Sequence, residues 1–251
     1  MNYIIITGAS KGLGEGLAIE LLDEQHRLIC ISRSESKKLK QLAAARNCSL
    51  EFILFDLSAI NDIDTLCEEI FSHIDLKNAE GVFLVNNAGI INPVNRVEEC
   101  AAEDVELHMR INLLAPMLLS SAFIGRVKDF PITKRIMNIS SGAAHNPYYG
   151  WSCYCTAKAG LDMFGRCISE EQKDESHPVE TMNVAPGIID TGMQTTIRGT
   201  NERAFIHRKK FVEFKEKGQL IHPAVAGKKL AQLLLSEDFR DGQSVDVRDS
   251  Y

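Results

Sequence analysis

The sequence has no Cys-x-x-Cys pair and no cysteine or histidine at the spacing of a zinc site. Its seven cysteines are an odd number and lie scattered at positions 30, 48, 67, 100, 153, 155 and 167. Nothing in their number or spacing resembles a disulfide framework, so the simplest interpretation is seven reduced thiols. We therefore expect neither a bound metal nor a disulfide.

The sequence also lacks a low-complexity tract, an internal repeat, a linker and any long uninterrupted apolar stretch. A bilayer-spanning helix needs about 18–20 apolar residues, and the N-terminus reads as a core strand rather than a signal peptide. The net charge of −6 argues against a nucleic-acid partner. We expect a single domain over residues 1–251, soluble and cytoplasmic, with no membrane or nucleic-acid partner.

Apolar runs alternate with amphipathic helical patterns along the chain. This alternation predicts strands near residues 3–7, 27–32, 50–55, 81–85, 134–140, 179–184 and 243–247. Right-handed crossovers place helices on both faces of such a sheet, with the ligand crevice at the carboxyl ends of the strands. The predicted fold is α/β: a single Rossmann domain with a doubly wound parallel β-sheet of about seven strands flanked by helices.

A glycine-rich turn, Thr7-Gly8-Ala9-Ser10-Lys11-Gly12-Leu13-Gly14, joins the first predicted strand to a helix. In that context Gly8 permits a tight turn, Gly12 lets backbone amides approach a pyrophosphate, and Gly14 lets the helix pack on the strand. The helix N-terminus then faces the phosphate charge. We expect a dinucleotide to contact Gly8, Ser10, Lys11, Gly12, Leu13 and Gly14. The alternative is an ordinary loop, because the spacing differs from G-x-G-x-x-G.

The end of the second predicted strand indicates which dinucleotide binds. A fold that prefers NAD places an acidic residue there, whereas this chain has Ser32 and Arg33. A guanidinium can pair bidentately with a 2′-phosphate, and Lys11 adds a second cation nearby. The sequence therefore predicts NADPH as the cofactor, unless Arg33 and Lys11 are only solvated surface charges.

Polar and small residues end the next two predicted strands. Asp56, followed by Leu57, can accept a hydrogen bond from the adenine amino group, or it can cap a helix. Asn87 and the small pair Ala88 and Gly89 let a nucleoside lie against the backbone. We assign all five residues to the cofactor.

Five motifs occur in order across nearly the whole chain: the glycine turn, Asn86-Asn87-Ala88-Gly89, Ser141, Tyr154-x-x-x-Lys158 and Pro186-Gly187. With these motifs the chain resembles the short-chain dehydrogenases/reductases. The resemblance implies contacts from Pro186, Gly187, Ile189 and Thr191 to the nicotinamide end of the cofactor. It also implies a catalytic tetrad of Asn112, Ser141, Tyr154 and Lys158.

The chemistry of ketone reduction agrees with this tetrad. A ketone that accepts hydride becomes an alkoxide, so the site must supply a proton and stabilise the developing charge. Tyr154 is the expected acid, and we expect the nearby Lys158 ammonium to lower its pKa from the usual ~10. Lys158 would also hold the nicotinamide ribose, and Ser141 would hydrogen-bond the carbonyl oxygen. By resemblance, Asn112 lies in a distorted helix that helps to hold a water beside Lys158.

Two local features narrow the substrate. Tyr148 and Trp151 stand just before Tyr154 and suggest a wall for a flat or aromatic substrate, or else a packing cluster at a helix edge. The C-terminal region, with Val245-Asp246, resembles sepiapterin reductases and bacterial benzil reductases. That resemblance implies that Asp246 anchors an amino-pyrimidine, unless it is a capping or surface carboxylate. We assign Ser141, Tyr148, Trp151, Tyr154 and Asp246 to the substrate.

We therefore predict an NADPH-dependent enzyme that reduces one ketone of a vicinal dicarbonyl, benzil-like or sepiapterin-like, to a chiral hydroxy ketone. Alternatives are reduction of a sugar, steroid or acyl ketone, or a non-catalytic NADPH sensor. The charge-rich residues 191–217 are expected to be a mobile lid that orders over the substrate. Helical patterns near 103–127 and 152–173 predict a homodimer, although their apolar faces could equally complete the subunit's own core.

Overall fold

Runs of β-branched and aliphatic residues form a central parallel sheet. The computed structural model describes the backbone of residues 1–250 and the side chains of residues 1–248, so the last residue of the expected domain lies outside it. The strands are β1 (Asn2–Thr7), β2 (His26–Ser32), β3 (Ser49–Leu54), β4 (Gly81–Asn86), β5 (Thr133–Ile139), β6 (Glu180–Ala185) and β7 (Gln243–Asp246). Every predicted strand is confirmed, with bounds within one residue.

Helices connect consecutive strands and cover both faces of the sheet. They are α1 (Gly12–Glu20), α2 (Lys37–Ala45), α3 (Ile63–Ser72), α4 (Ala102–Met109), α5 (Ala115–Val127), α6 (Ser152–Gln172), α7 (Gly192–Gly199), α8 (Arg208–Glu216) and α9 (Pro223–Leu235). A π-helical turn, Arg110–Leu114, joins α4 to α5. The strand order is β3-β2-β1-β4-β5-β6-β7, with all neighbours parallel.

The core consists of two layers because successive side chains of a strand face opposite sides of the sheet. Ile4 and Ile6 of β1 pack in one buried cluster with Leu17 of α1, while Ile5 packs in the other with Phe123 of α5. Each fully buried aliphatic side chain contributes about 1.5–3 kcal/mol relative to leaving it exposed. This arrangement confirms a single doubly wound Rossmann domain.

Successive strands are added to one side of β1 up to β3 and to its other side from β4 onward, so the strand order reverses between the neighbours β1 and β4. Strands β2 and β3 lie on one side of β1, and β4 to β7 lie on the other. Ligands bind α/β sheets in the crevice beyond the carboxyl ends of the strands at such a reversal. The predicted site residues follow those ends.

Residues 191–217 differ from the expected mobile loop, because they contain the helices α7 and α8. Most of their charged side chains are at least partly exposed, whereas the apolar side chains of Ile197, Phe205 and Phe211 are buried. The apolar contacts on the inner side give the segment a fixed structure, which a count of charges along the sequence does not reveal.

One helical stretch, Ala102–Val127, is long and apolar enough to cross a membrane by length and averaged composition, with a mean hydropathy of 1.3. Charged and polar residues interrupt it, so it contains no long unbroken apolar run. Its inner face packs on the sheet through Leu119, Phe123 and Val127, and 44% of its most apolar window is buried. This is weak evidence for a membrane span, since a core helix of a soluble protein has the same composition.

Candidate functional site

The carboxyl ends of the strands border a cavity of about 1060 Å³. It runs from the first glycine turn to the inner side of α7 and α8. Every predicted site residue except Asn112 lines it: Gly8, Ser10, Lys11, Gly12, Leu13, Gly14, Ser32, Arg33, Asp56, Leu57, Asn87, Ala88, Gly89, Ser141, Tyr148, Trp151, Tyr154, Lys158, Pro186, Gly187, Ile189, Thr191 and Asp246. The fold thus gathers residues from all parts of the chain.

The glycine turn forms a floor free of side chains. Gly8 has φ +71°, a conformation that favours glycine, and a Cβ on Gly14 would lie 2.4 Å from the Gly8 carbonyl oxygen. Asn87 fixes the turn to the end of β4, because its Nδ2 donates to the Thr7 carbonyl oxygen at 2.7 Å. Helix α1 begins at Gly12 with no side chain capping its amides. An open floor at a helix N-terminus fits the pyrophosphate of a nicotinamide dinucleotide.

Two cations lie in or beside this glycine turn. Lys11 and Arg33 line the cavity, and neither makes an ion pair with any residue of the described chain. Asp56 does not cap a helix. Its Oδ1 accepts from the Ser58 amide at 2.9 Å, and this hydrogen bond, more than the charge of Arg33, lowers the Asp56 pKa. Positive charge and an adjacent carboxylate are therefore both available to an adenosine phosphate and its base.

Ser141, Tyr154 and Lys158 meet on one side of the cavity. Ser141 lies within hydrogen-bonding distance of the Tyr154 hydroxyl, and its own Oγ accepts from the Ala143 amide at 3.1 Å. Lys158, one turn along α6, donates from Nζ to the Ile139 carbonyl oxygen at 2.7 Å. Its Nζ lies 5.8 Å from the centre of the Tyr154 ring. The arrangement brings a proton donor, a hydroxyl and an ammonium to one point.

The expected lowering of the Tyr154 pKa is wrong for these side chains. Burial raises the Tyr154 pKa to about 12, and the hydrogen bond from Ser141 offsets only part of that rise. The same burial lowers the Lys158 pKa to about 8. Desolvation disfavours both charged forms and is the largest cause of both changes. Tyr154 is consequently protonated throughout the neutral range, which is the form that donates a proton.

Asn112 lies behind the cavity rather than on its wall. It is fully buried within the π-helical turn, so the helix is distorted at the expected place. Its Oδ1 accepts from the Ile90 amide at 3.0 Å, and its Nδ2 donates to the Ile90 carbonyl oxygen at 2.9 Å. These two bonds hold the loop after β4, which carries Gly89 on the cavity wall.

Aromatic side chains form the wall beside Tyr154. The Tyr148 and Trp151 rings lie 4.9 Å apart, and Trp151 stacks on Phe205 at 4.8 Å with only 6° between the planes. Tyr148 and Trp151 thus serve both as a wall and as a packing cluster. The sequence reasoning missed Phe211 and Phe214 of α8, which also line the cavity. Their spacing of three residues, typical of one helix face, was the available signal.

Asp246 lines the cavity, but its carboxylate is already paired. Its Oδ1 accepts from the backbone amide and Nε of Arg248, both at 2.9 Å, and its Oδ2 accepts from Nη2 at 2.6 Å. These hydrogen bonds lower the Asp246 pKa. Arg248 also lines the cavity and was not predicted. Any ligand donor that approaches Asp246 must therefore compete with a bidentate guanidinium.

Known proteins of three kinds are similar to this chain. The family model described as short chain dehydrogenase matches residues 2–202. A benzil reductase ((S)-benzoin forming) from Bacillus cereus is 41% identical over 98% of this chain and 99% of its own. A sepiapterin reductase from Xenopus laevis is 30% identical over 98% and 95%. The crystal structure of the KRED1-Pglu enzyme superposes with a TM-score of 0.83 at 27% identity, covering 98% of this chain and 100% of that one.

Replacing Asn112 should destabilise the protein because Ile90 would lose both partners. We expect Asn112→Ala to lower the free energy of unfolding by about 2 kcal/mol, the usual cost of leaving polar groups unsatisfied. Asn146→Ala is the matched control, since Asn146 makes one exposed hydrogen bond, to the Gly142 carbonyl oxygen. Urea unfolding of both variants measures the difference. Equal losses of unfolding free energy in the two variants would show that the Ile90 contacts stabilise the protein no more than one exposed hydrogen bond does.

Proposed function

The chain belongs to the short-chain dehydrogenase/reductase family, and from this premise we propose that it reduces one carbonyl of a vicinal dicarbonyl with NADPH. Membership makes it an oxidoreductase of the CH–OH/C=O pair that uses a nicotinamide dinucleotide. The finer proposal is carried by the aromatic wall beside Tyr154, which suits a flat ring next to the reacting carbonyl. The similarity to a benzil reductase supports it.

The reduction needs a proton and a charge-stabilising donor at the carbonyl oxygen. When bound, the cofactor supplies the hydride. Tyr154 donates the proton to the carbonyl oxygen. Ser141 donates its hydroxyl proton in a hydrogen bond to the same oxygen, while one of its lone pairs accepts from the Ala143 amide. Lys158, an ammonium below pH about 8, stabilises the negative charge that passes to the phenol oxygen.

We propose that the chain forms one domain. Within it, α7 and α8 act as a lid over the substrate. We further propose a cytoplasmic homodimer. Leu107, Leu114 and Leu118 on the α4–α5 stretch and Met163 on α6 are exposed apolar side chains. A two-fold axis beside these helices would bury them against the same residues of a second copy.

The activity is tested by following NADPH absorbance with benzil and, in parallel, with sepiapterin. We expect NADPH oxidation, faster with benzil, and a loss of about 10²-fold or more in Tyr154→Phe because the general acid is gone. Tyr149→Phe is the matched control, since Tyr149 is exposed and does not line the cavity. NADPH affinity should survive both changes. Near-normal turnover by Tyr154→Phe would refute the assignment of Tyr154 as the acid.

We infer a preference for NADPH from Lys11 and Arg33, two cations on the cavity wall that make no ion pair within the described part of the chain. We expect Arg33→Asp to lower kcat/KM for NADPH by about 10- to 100-fold, as loss of a charge-assisted contact does, while the value for NADH changes little. Lys37→Asp is the control, because it makes the same change of charge at an exposed position off the cavity wall. If the two variants behave alike, phosphate recognition lies elsewhere.

The pairing of Asp246 with Arg248 favours a benzil-like diketone over a pterin. An amino-pyrimidine presents donors that need a carboxylate with available lone pairs, whereas benzil presents none. We therefore expect Arg248→Gln to raise kcat/KM for sepiapterin about tenfold relative to benzil, since it releases a charged acceptor. The double variant Arg248→Gln/Asp246→Asn should lose that gain. A substrate ratio that does not move in the single variant would contradict this account of specificity.

A further inference from the structure

A row of four polar side chains crosses the sheet, of which the first three are buried and the last is exposed. Asn86, Asn138, Asn183 and Ser244 occupy paired positions on four adjacent strands. Asn86 donates to Asn138 at 2.9 Å, Asn138 donates to Asn183 at 3.0 Å, and Asn183 donates to Ser244 at 3.4 Å. Such a row is costly to bury unless its members are hydrogen-bonded. It leads to one carboxylate, that of Asp162 on α6.

Asp162 is 5% exposed and held by two neighbours. Its Oδ2 accepts from the Ser244 hydroxyl at 3.1 Å and lies 3.2 Å from Nε2 of His145. Its Oδ1 is buried and has no partner in the part of the chain that the structure describes. A neutral hydroxyl and a side chain that is 62% exposed do not balance a buried negative charge. The carboxylate therefore acts on a charge farther away.

That charge is Lys158, one helical turn before Asp162. Lys158 is 4% exposed, and within the described part of the chain its ammonium donates to one carbonyl oxygen, that of Ile139. Burial lowers the Lys158 pKa, and the negative charge of Asp162 opposes that change. Residues at positions i and i+4 of a helix lie on one face, so the two buried charges of opposite sign face the same interior.

We propose that Asp162 is a positioning residue whose charge keeps Lys158 an ammonium, while Ser244 and the polar row hold Asp162 in place. This inference rests on the proposed role of Lys158 in reduction. Asp162 touches neither the cavity nor the reacting atoms, so it acts through the lysine alone.

The other titratable groups around Lys158 do not replace Asp162. Tyr154, on the same helix, is neutral because burial raises its pKa. His108 of α4 packs edge-on against Tyr154 with ring centres 6.1 Å apart, and burial, then the charge of Lys158, lowers its pKa. The side chain of Asn183 on β6 is uncharged, and its Nδ2 donates to the Asp162 carbonyl oxygen at 2.9 Å. His145, in the turn after β5, faces Asp162 rather than the lysine.

The test is the pH dependence of kcat/KM for benzil reduction with NADPH. The Lys158 pKa of about 8 lies below its ordinary value, so the wild type should be active below that pH and lose activity as pH rises through it. Asp162→Asn keeps the shape and an acceptor for Ser244 but removes the charge. We expect the alkaline limb to move down by roughly one pH unit. Activity at pH 8 then falls about fivefold, and activity at pH 6 is unchanged.

Two comparisons separate charge from structure. Ser244→Ala removes a hydrogen bond but no charge, so its alkaline limb should stay near that of the wild type. An equal loss at every pH in Asp162→Asn, or an unmoved limb, would overturn the inference and leave Asp162 a structural residue. If the wild type reduces no dicarbonyl at all, the proposed function fails instead.

A second pair of variants keeps the test valid if Asp162→Asn does not fold. His145 is exposed and off the cavity wall, so changes there should be tolerated. His145→Lys places a permanent positive charge beside Asp162 and should move the alkaline limb to lower pH, whereas His145→Glu should move it to higher pH. Identical limbs in the two variants would contradict the coupling of Asp162 to Lys158.

Discussion

Keeping an ammonium charged inside the protein is the constraint around which the site is built. Lys158 must be buried to stand beside Tyr154, and burial alone drives it toward the neutral form. The surrounding structure supplies what water would have supplied: a carbonyl oxygen at the end of β5 and a carboxylate one turn along α6. The strand ends and the catalytic helix are thus linked through one side chain.

The same burial determines the protonation states of the two titratable residues, Tyr154 and Lys158. Tyr154 is protonated far above neutral pH, so it is always ready to donate, and Lys158 changes charge nearer to neutrality. In the proposed reaction, reduction therefore depends on the protonation of the lysine more than on that of the tyrosine. If the lysine acted only by lowering the Tyr154 pKa, reduction would depend more on the protonation of the tyrosine. The difference arises because desolvation is the largest cause of the pKa change in both groups.

Much of this structure could be predicted because it follows from local pattern. Strands that are buried on both faces consist of runs of β-branched and aliphatic residues. Because the carboxyl ends of these parallel strands meet at one edge of the sheet, Gly8, Asn87 and Thr191 converge although they are far apart in sequence. The pKa direction of Tyr154 could not be predicted, since it depends on how deeply the phenol is buried. The pairing of Asp246 with Arg248 was also missed, because two residues separated by one on a chain normally point apart.

The inner side of α7 and α8 bears on the size of the substrate that the cavity would accept. A long acyl or steroid ketone would need an apolar lid, and Ile197, Phe211 and Phe214 present an apolar inner surface to the cavity although the segment is rich in charge. Charge on the outer face of a helix says nothing about its inner face. The case for a compact aromatic diketone therefore cannot rest on the charge of the lid. It rests instead on Tyr148 and on Trp151, whose ring contacts Tyr148 and stacks on Phe205 to form a flat wall beside Tyr154.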